Sequence, residues 1–167
     1  MEDNEETIKV KCVLDGFETT LIKKAAERSV LLKDLLINYQ ADKIFEVQNV
    51  NKEAMEKVKE YLEHYKDVEP KEIKKPLKGS KFSECVEEWD NTFIGNEDNI
   101  EKLENYILAA SFLNIKPLIE LLSLKIAFMI KGINTPTIRN IFGIKKLNGE
   151  ERKQFKEDEK IIEDKKY

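Results

Sequence analysis

Histidine, cysteine and paired carboxylates commonly carry catalysis or metal binding, and this sequence holds few of them in useful arrangements. Its single histidine, His64, stands beside Tyr65 near the end of a helical pattern. In a triad it would need a nucleophile and an orienting acid converging on it, and no spacing in the sequence supplies that set. A helix-terminal imidazole, favoured by the negative end of the helix dipole, accounts for it more simply. Zinc asks for about four Cys, His or carboxylate ligands. Cys12 and Cys85, far apart and joined by one histidine, do not make a recognisable set. Lys78-Gly79-Ser80 has the end of a phosphate loop but lacks the earlier glycine and the strand-to-helix setting. Glu87-Glu88 and Glu150-Glu151 read as solvated or capping charges. The expectation is therefore a protein with no catalytic residue, no metal and no cofactor.

Composition narrows the partners as well. Of 167 residues, 37% are charged, with the signs well mixed and a net charge of -4, so nothing pulls the chain toward nucleic acid or an anionic membrane. Lys66, Lys71, Lys74, Lys75, Lys78 and Lys81 form the most basic stretch. Asp67, Glu69 and Glu72 interrupt it, and no aromatic residue interleaves to stack bases. Two cysteines without a framework imply reduced thiols, as in the cytosol or nucleus. The acidic N-terminus is unlike a secretory signal. A hydrophobic fraction of 41% is enough for an ordinary core.

The patterning divides the chain in two. Residues 7–14 alternate, with Ile8, Val10 and Cys12 on one face of a strand. Asp15-Gly16 signals a hairpin, and Phe17–Ile22 forms its return strand. Two short helices follow, the second capped by Ser29 before Val30–Leu36. Ile44–Val47 is a short strand. Asn51 caps a helix whose buried face is Met55, Val58, Leu62 and Tyr65. Pro70, Pro76 and Gly79-Ser80 mark a linker. Beyond it the chain is helical. Trp89–Ile94 is short, and Asp98 with Glu101 forms a capping box for a helix striped by Leu103, Tyr106, Ile107, Ala110 and Leu113. Pro117 opens a further helix that Gly132 closes. Thr135 and Pro136 serve as N-cap and first residue of the next, with Ile138, Ile141 and Phe142 apolar. Asn148 with Glu151 makes a second capping box, before a last helix over about 150–163.

The helix at 118–130 has more apolar surface than one neighbour can cover. Leu118, Ile119, Leu122, Ile126 and Met129 make one stripe, and Leu121, Leu124 and Phe128 make another on roughly the opposite side. A surface helix ordinarily hides one stripe and wets the other. At this length, with Glu120 and Lys125 inside it, the segment is not a membrane span. The second stripe is expected to meet another protein.

Four groups of residues carry a family resemblance: Asn49-Val50-Asn51 with His64-Tyr65-Lys66-Asp67; Trp89-Asp90 with Phe93; Ile107 to Lys116; and Met129-Ile130-Lys131-Gly132 with Ile138-Arg139 and Phe142-Gly143-Ile144-Lys145. In order and spacing the chain resembles, from about Ile8 to Glu163, the S-phase-kinase-associated adaptors of cullin–F-box (SCF) ubiquitin ligases. The resemblance implies an α+β fold, a BTB/POZ-type domain of short β-sheet and helices plus two C-terminal helices. It divides the chain into an α/β part at 7–66, a lysine-rich loop at 67–86, a helical part at 87–131 and C-terminal helices at 134–163. It implies a non-enzymatic adaptor that joins F-box proteins to a cullin, in cytoplasm and nucleus. A homodimer in the absence of an F-box partner is compatible with the exposed apolar faces.

By the same resemblance Ser111 and Phe112 stand at the cullin contact. Ile107, Ile119, Leu122, Ile126 and Ile130 fall at or near F-box-facing helical positions. Ile138, Ile141, Phe142 and Phe155 belong to the helices that complete the F-box groove. Ile161 occupies the place of a common tryptophan anchor. The chain departs further from the pattern with Ser111 for asparagine, with two extra residues around Gly95-Asn96, and with Pro136 one position late. The late proline leaves no basis for carrying over the prolyl hydroxylation of some relatives. Two alternatives stay open: an elongin-C-like subunit, which normally ends before the last two helices, and an F-box-binding structural subunit outside ubiquitin ligation, as in a kinetochore-like assembly.

Overall fold

Alternation near the N-terminus decides where the core lies. In the computed structural model, which describes residues 6–37, 44–77, 79–145 and 148–154, Thr7–Cys12 is strand β1 and its Ile8, Val10 and Cys12 are fully buried. The Asp15-Gly16 turn, with Gly16 at a φ of 72°, returns the chain into β2 (Glu18–Ile22), antiparallel to β1. Helices α1 (Lys23–Ala26) and α2 (Val30–Leu36) precede β3 (Ile44–Val47), which pairs with β1 in parallel. A parallel neighbour requires such a crossover. The sheet order is β2-β1-β3, and Val10 lies between Thr19 and Phe45.

Helix α3 (Lys52–His64) closes over the core with Met55, Val58, Tyr61 and Leu62. Its first turn is capped twice. Asn51 Oδ1 accepts from the Ala54 N–H at 2.9 Å, and Asp15 Oδ2, from the hairpin, accepts from the Lys52 N–H at 2.5 Å. Within the loop expected at 67–86, the described residues up to Lys81 lack helix and strand, and ion pairs Lys71–Glu87 and Lys75–Glu120 hold them. A 3-10 turn (Phe82–Glu84), α4 (Glu88–Ile94), α5 (Ile100–Phe112), α6 (Lys116–Ile130) and α7 (Thr135–Ile141) follow, and residues 149–154 are helical. The expected α+β class is thus observed. The chain forms two compact units, Met1–Met129 and Ile130–Tyr167. All the strands and α1 to α5 lie in the first.

Two caps fall one residue away from their expected place. Helix α5 is capped by Asn99, whose Oδ1 accepts from the Lys102 N–H at 3.2 Å, and not by Asp98. Helix α7 is capped by Asn134, whose Oδ1 accepts from the Thr137 N–H at 3.0 Å, so Thr135 is the first helical residue and Pro136 the second. The capping box of Asn148 and Glu151 forms as expected, with bonds of 2.8 and 2.9 Å.

Candidate protein-interaction surfaces

The motif residues around His64 turn out to be architectural. The His64 ring stacks on Trp89 at 3.6 Å between centroids, and Trp89 stacks on Phe93 at 4.8 Å. Beneath them the Tyr65 hydroxyl donates to Asp90 Oδ1 at 2.8 Å. Two sequence motifs 25 residues apart therefore fasten the end of α3 to α4. Burial pushes the Asp90 carboxyl above its ordinary range, the Tyr65 bond opposing it, and pushes the Tyr65 phenol up as well. Cys12 and Cys85 are both free thiols, and burial with the nearby Asp15 charge raises the Cys12 thiol to about 11. Among the described residues no group of His, Cys, Asp and Glu is placed to hold a metal ion, and no helix is long and apolar enough to cross a membrane.

The first apolar surface is at the end of α5. That helix closes in a Schellman motif: the Ile115 N–H donates to the Ala110 carbonyl at 2.8 Å, the Asn114 N–H to the Ser111 carbonyl at 3.1 Å, and Asn114 has a φ of 53°. Ser29, buried at the start of α2, ties in from the side. Its Oγ donates to the Leu113 carbonyl at 2.6 Å while accepting from the Leu32 N–H at 3.1 Å. With the backbone so fixed, Ser111 and Phe112 are exposed, Phe112 at 39%. Leu108, one turn earlier on the same face, is 54% exposed, and Val30, next to Ser29, is exposed too. Sequence reasoning missed Leu108 and Val30. The signal for Leu108 was its spacing of four from Phe112, outside the buried stripe.

The second surface is on α6, and here the expected split into two opposite stripes is corrected. Leu118 and Leu122 from one stripe, and Leu121 and Leu124 from the other, are all buried in the first unit. Phe128 also turns inward and meets the Phe82 ring edge-on at 6.2 Å. Leu122 is 0% exposed, so it is a core residue and not part of a free docking face. Ile119 and Ile126 remain half-buried at the flank, with Ser123 and Ala127 exposed beside them. Ile107 on α5 is likewise half-buried against the core. Inside α6 the unexpected residue is Lys125, buried at 6% exposure. Its Nζ donates to the Gly95 carbonyl at 2.6 Å and to Asp98 Oδ1 at 3.0 Å.

The second unit carries Ile130, Ile138 and Ile141 half-buried and Phe142 exposed. Helix α7 also ends in a Schellman motif, with Gly143 at a φ of 60° and the Ile144 N–H donating to the Arg139 carbonyl at 2.8 Å. Phe155 and Ile161 lie outside the described residues.

Comparison with known proteins identifies relatives of the chain. Residues 116–161 match the model of the Skp1 family, dimerisation domain. The chain is 37% identical over 143 residues to an S-phase kinase-associated protein 1 homolog of Tetrahymena thermophila, covering 85% of this chain and 86% of that protein. It is 32% identical over 152 residues to the E3 ubiquitin ligase complex SCF subunit sconC of Arthroderma otae, covering 90% of this chain and 91% of that one. The sconC subunit of Aspergillus fumigatus is also 32% identical, with 90% of this chain and 94% of that one covered.

Proposed function

The chain belongs to the Skp1 family, and from that premise we propose that it is a non-catalytic adaptor of an SCF-type E3 ubiquitin ligase, joining F-box substrate receptors to a cullin for ubiquitin-dependent degradation. The observation that carries the reading is the match, over nearly the whole length, to relatives named as SCF subunits. The distribution of apolar residues supports it. An adaptor needs separate surfaces for its two partners, and apolar side chains are left partly open in two places, at the end of α5 and along α6.

Cullin docking is assigned to Ser111 and Phe112, extended by Leu108, four residues before Phe112 on α5, and by Val30, whose neighbour Ser29 bonds the Leu113 carbonyl. F-box docking is assigned to Ile107, Ile119 and Ile126 in the first unit and to Ile130, Ile138, Ile141 and Phe142 in the second. An aromatic or aliphatic side chain fully covered by a partner contributes about 1.5–3 kcal/mol before ordering costs are subtracted. A few such residues on each surface are sufficient. Ile119 and Ile126 share one face of α6 at the i, i+7 spacing used in helix-in-groove recognition. The proposal extends to a location in cytoplasm and nucleus, in keeping with the two free thiols.

Affinity purification of the tagged chain from its own cells tests the reading. Recovery of a cullin together with several F-box proteins is the expected result. Recovery of F-box proteins without cullin would instead place the chain in a structural assembly outside ubiquitin ligation, and recovery of neither would overturn both assignments.

A further inference from the structure

Helix α6 is apolar around most of its circumference, which leaves its rotation poorly determined by burial alone. Turning it by one residue step would bury Ile119 and Ile126 in place of Leu121 and Leu124, with the Phe82–Phe128 ring contact as the main apolar loss. Lys125 removes that freedom. Its ammonium, 6% exposed, has two oxygen partners in the unit, the Gly95 carbonyl at 2.6 Å and Asp98 Oδ1 at 3.0 Å. Gly95 is the C-cap of α4, where unpaired carbonyls present partial negative charge. Turning α6 would break both bonds and take the ammonium from its oxygens, a directional penalty that exchanging two isoleucines for two leucines does not impose.

Gly95 is needed for that turn, because a Cβ there would meet the Asn91 carbonyl oxygen at 2.2 Å.

We propose that Lys125 is a positioning residue that fixes the rotation of α6 and so keeps Ile119 and Ile126 on the docking face. The docking part rests on the F-box assignment above; the pinning of the helix does not. Apolar packing is non-directional and tolerates rotation, whereas a buried ion bonded to fixed oxygens specifies one arrangement, sometimes at no gain in stability.

The test uses the full chain with isoleucine methyl labelling, comparing Lys125→Met, Lys125→Arg and the unsubstituted protein. In the unsubstituted protein and Lys125→Arg, Ile119 and Ile126 each give one methyl resonance. In Lys125→Met the protein unfolds at an equal or higher denaturant concentration, yet these two resonances double or broaden. Affinity for a purified F-box domain falls by about threefold to tenfold, as when the competent rotation drops to between a third and a tenth of the molecules. Cullin affinity is unchanged. One sharp resonance for each isoleucine in Lys125→Met, with unreduced F-box affinity, overturns the proposal. Should Lys125→Met fail to fold, Asp98→Lys takes its place, because Asp98 is 81% exposed and its reversal turns an attraction on the ammonium into repulsion without altering any apolar residue of α6. An unaltered Ile126 methyl there overturns it equally. If the unsubstituted protein binds no F-box domain, the functional assignment fails, and the methyl spectra still decide the role of Lys125.

Discussion

Asp90 and Asp15 are both hydrogen-bonded carboxylates, yet pH acts on them in opposite directions. Asp15 accepts from the backbone N–H groups of Lys52 and Phe17, which hold its carboxyl below the ordinary range. Its contribution is present above the unfolded pKa and disappears as pH falls through the folded one. Asp90 is raised by burial. The native state therefore takes up its proton at higher pH than the unfolded chain does, so this carboxyl favours folding at acid pH. It opposes folding once pH rises through its native pKa. Asp90→Asn keeps an oxygen for the Tyr65 hydroxyl. Denaturant titrations are expected to show it as stable as the unsubstituted protein or more so at pH 7, with the advantage shrinking toward pH 4. The cysteines offer a second check at this scale. A thiol raised to about 11 and fully buried is both inert and inaccessible. A thiol reagent should modify Cys85, half-buried, in the native protein and Cys12 only after unfolding; native-state labelling of Cys12 would contradict the placement of β1. The motif residues His64, Trp89 and Asp90 were visible in the sequence, but their shared task was not. The Tyr65–Asp90 bond joins positions with no local relation.

Elements were legible where a local signal was sufficient. The alternation of β1, the Asp15-Gly16 turn, the caps at Ser29, Asn51 and Asn148 and the stop at Gly132 each depend on a few neighbouring residues, and each appears as expected. The caps of α5 and α7 slipped by one because two cap-competent residues stand side by side, Asp98-Asn99 and Asn134-Thr135. Tertiary structure made the choice at α5. Asp98 is drawn to Lys125, leaving Asn99 to the helix. An N-cap replaced by alanine costs about 1 kcal/mol. Asn99→Ala is therefore expected to lower the stability of the first unit by about that amount in denaturant melts. A Thr135→Ala change, outside the cap bond, is expected to be near neutral. If Thr135→Ala costs more than Asn134→Ala, the capping of α7 assigned to Asn134 is wrong.

For the molecule as a whole, periodicity revealed the surplus of apolar surface on α6 but not which part was surplus. The stripes drawn from spacing each lost residues to the core because one arc of the helix, running across both, is buried. What selects that arc is Lys125 bonded to residues 27 and 30 positions away, which no local pattern announces. The consequence is a sharp contrast between neighbours one turn apart. Leu122→Asp buries an unpaired carboxylate in a fully closed site, a cost of several kcal/mol against a total stability of about 5–15 kcal/mol. It is expected to unfold the first unit and remove binding to every partner. Ile126→Asp places the same group at the half-open flank, where water reaches it. Its circular dichroism and cullin binding should stay near those of the unsubstituted chain while F-box binding is lost. Phe112→Lys, at the end of α5, should do the reverse, weakening cullin binding and sparing the F-box. Binding measured for both partners in all three variants checks the arrangement. If Ile126→Asp unfolds as Leu122→Asp does, then the flank of α6 belongs to the core, and the F-box surface of the first unit must lie elsewhere.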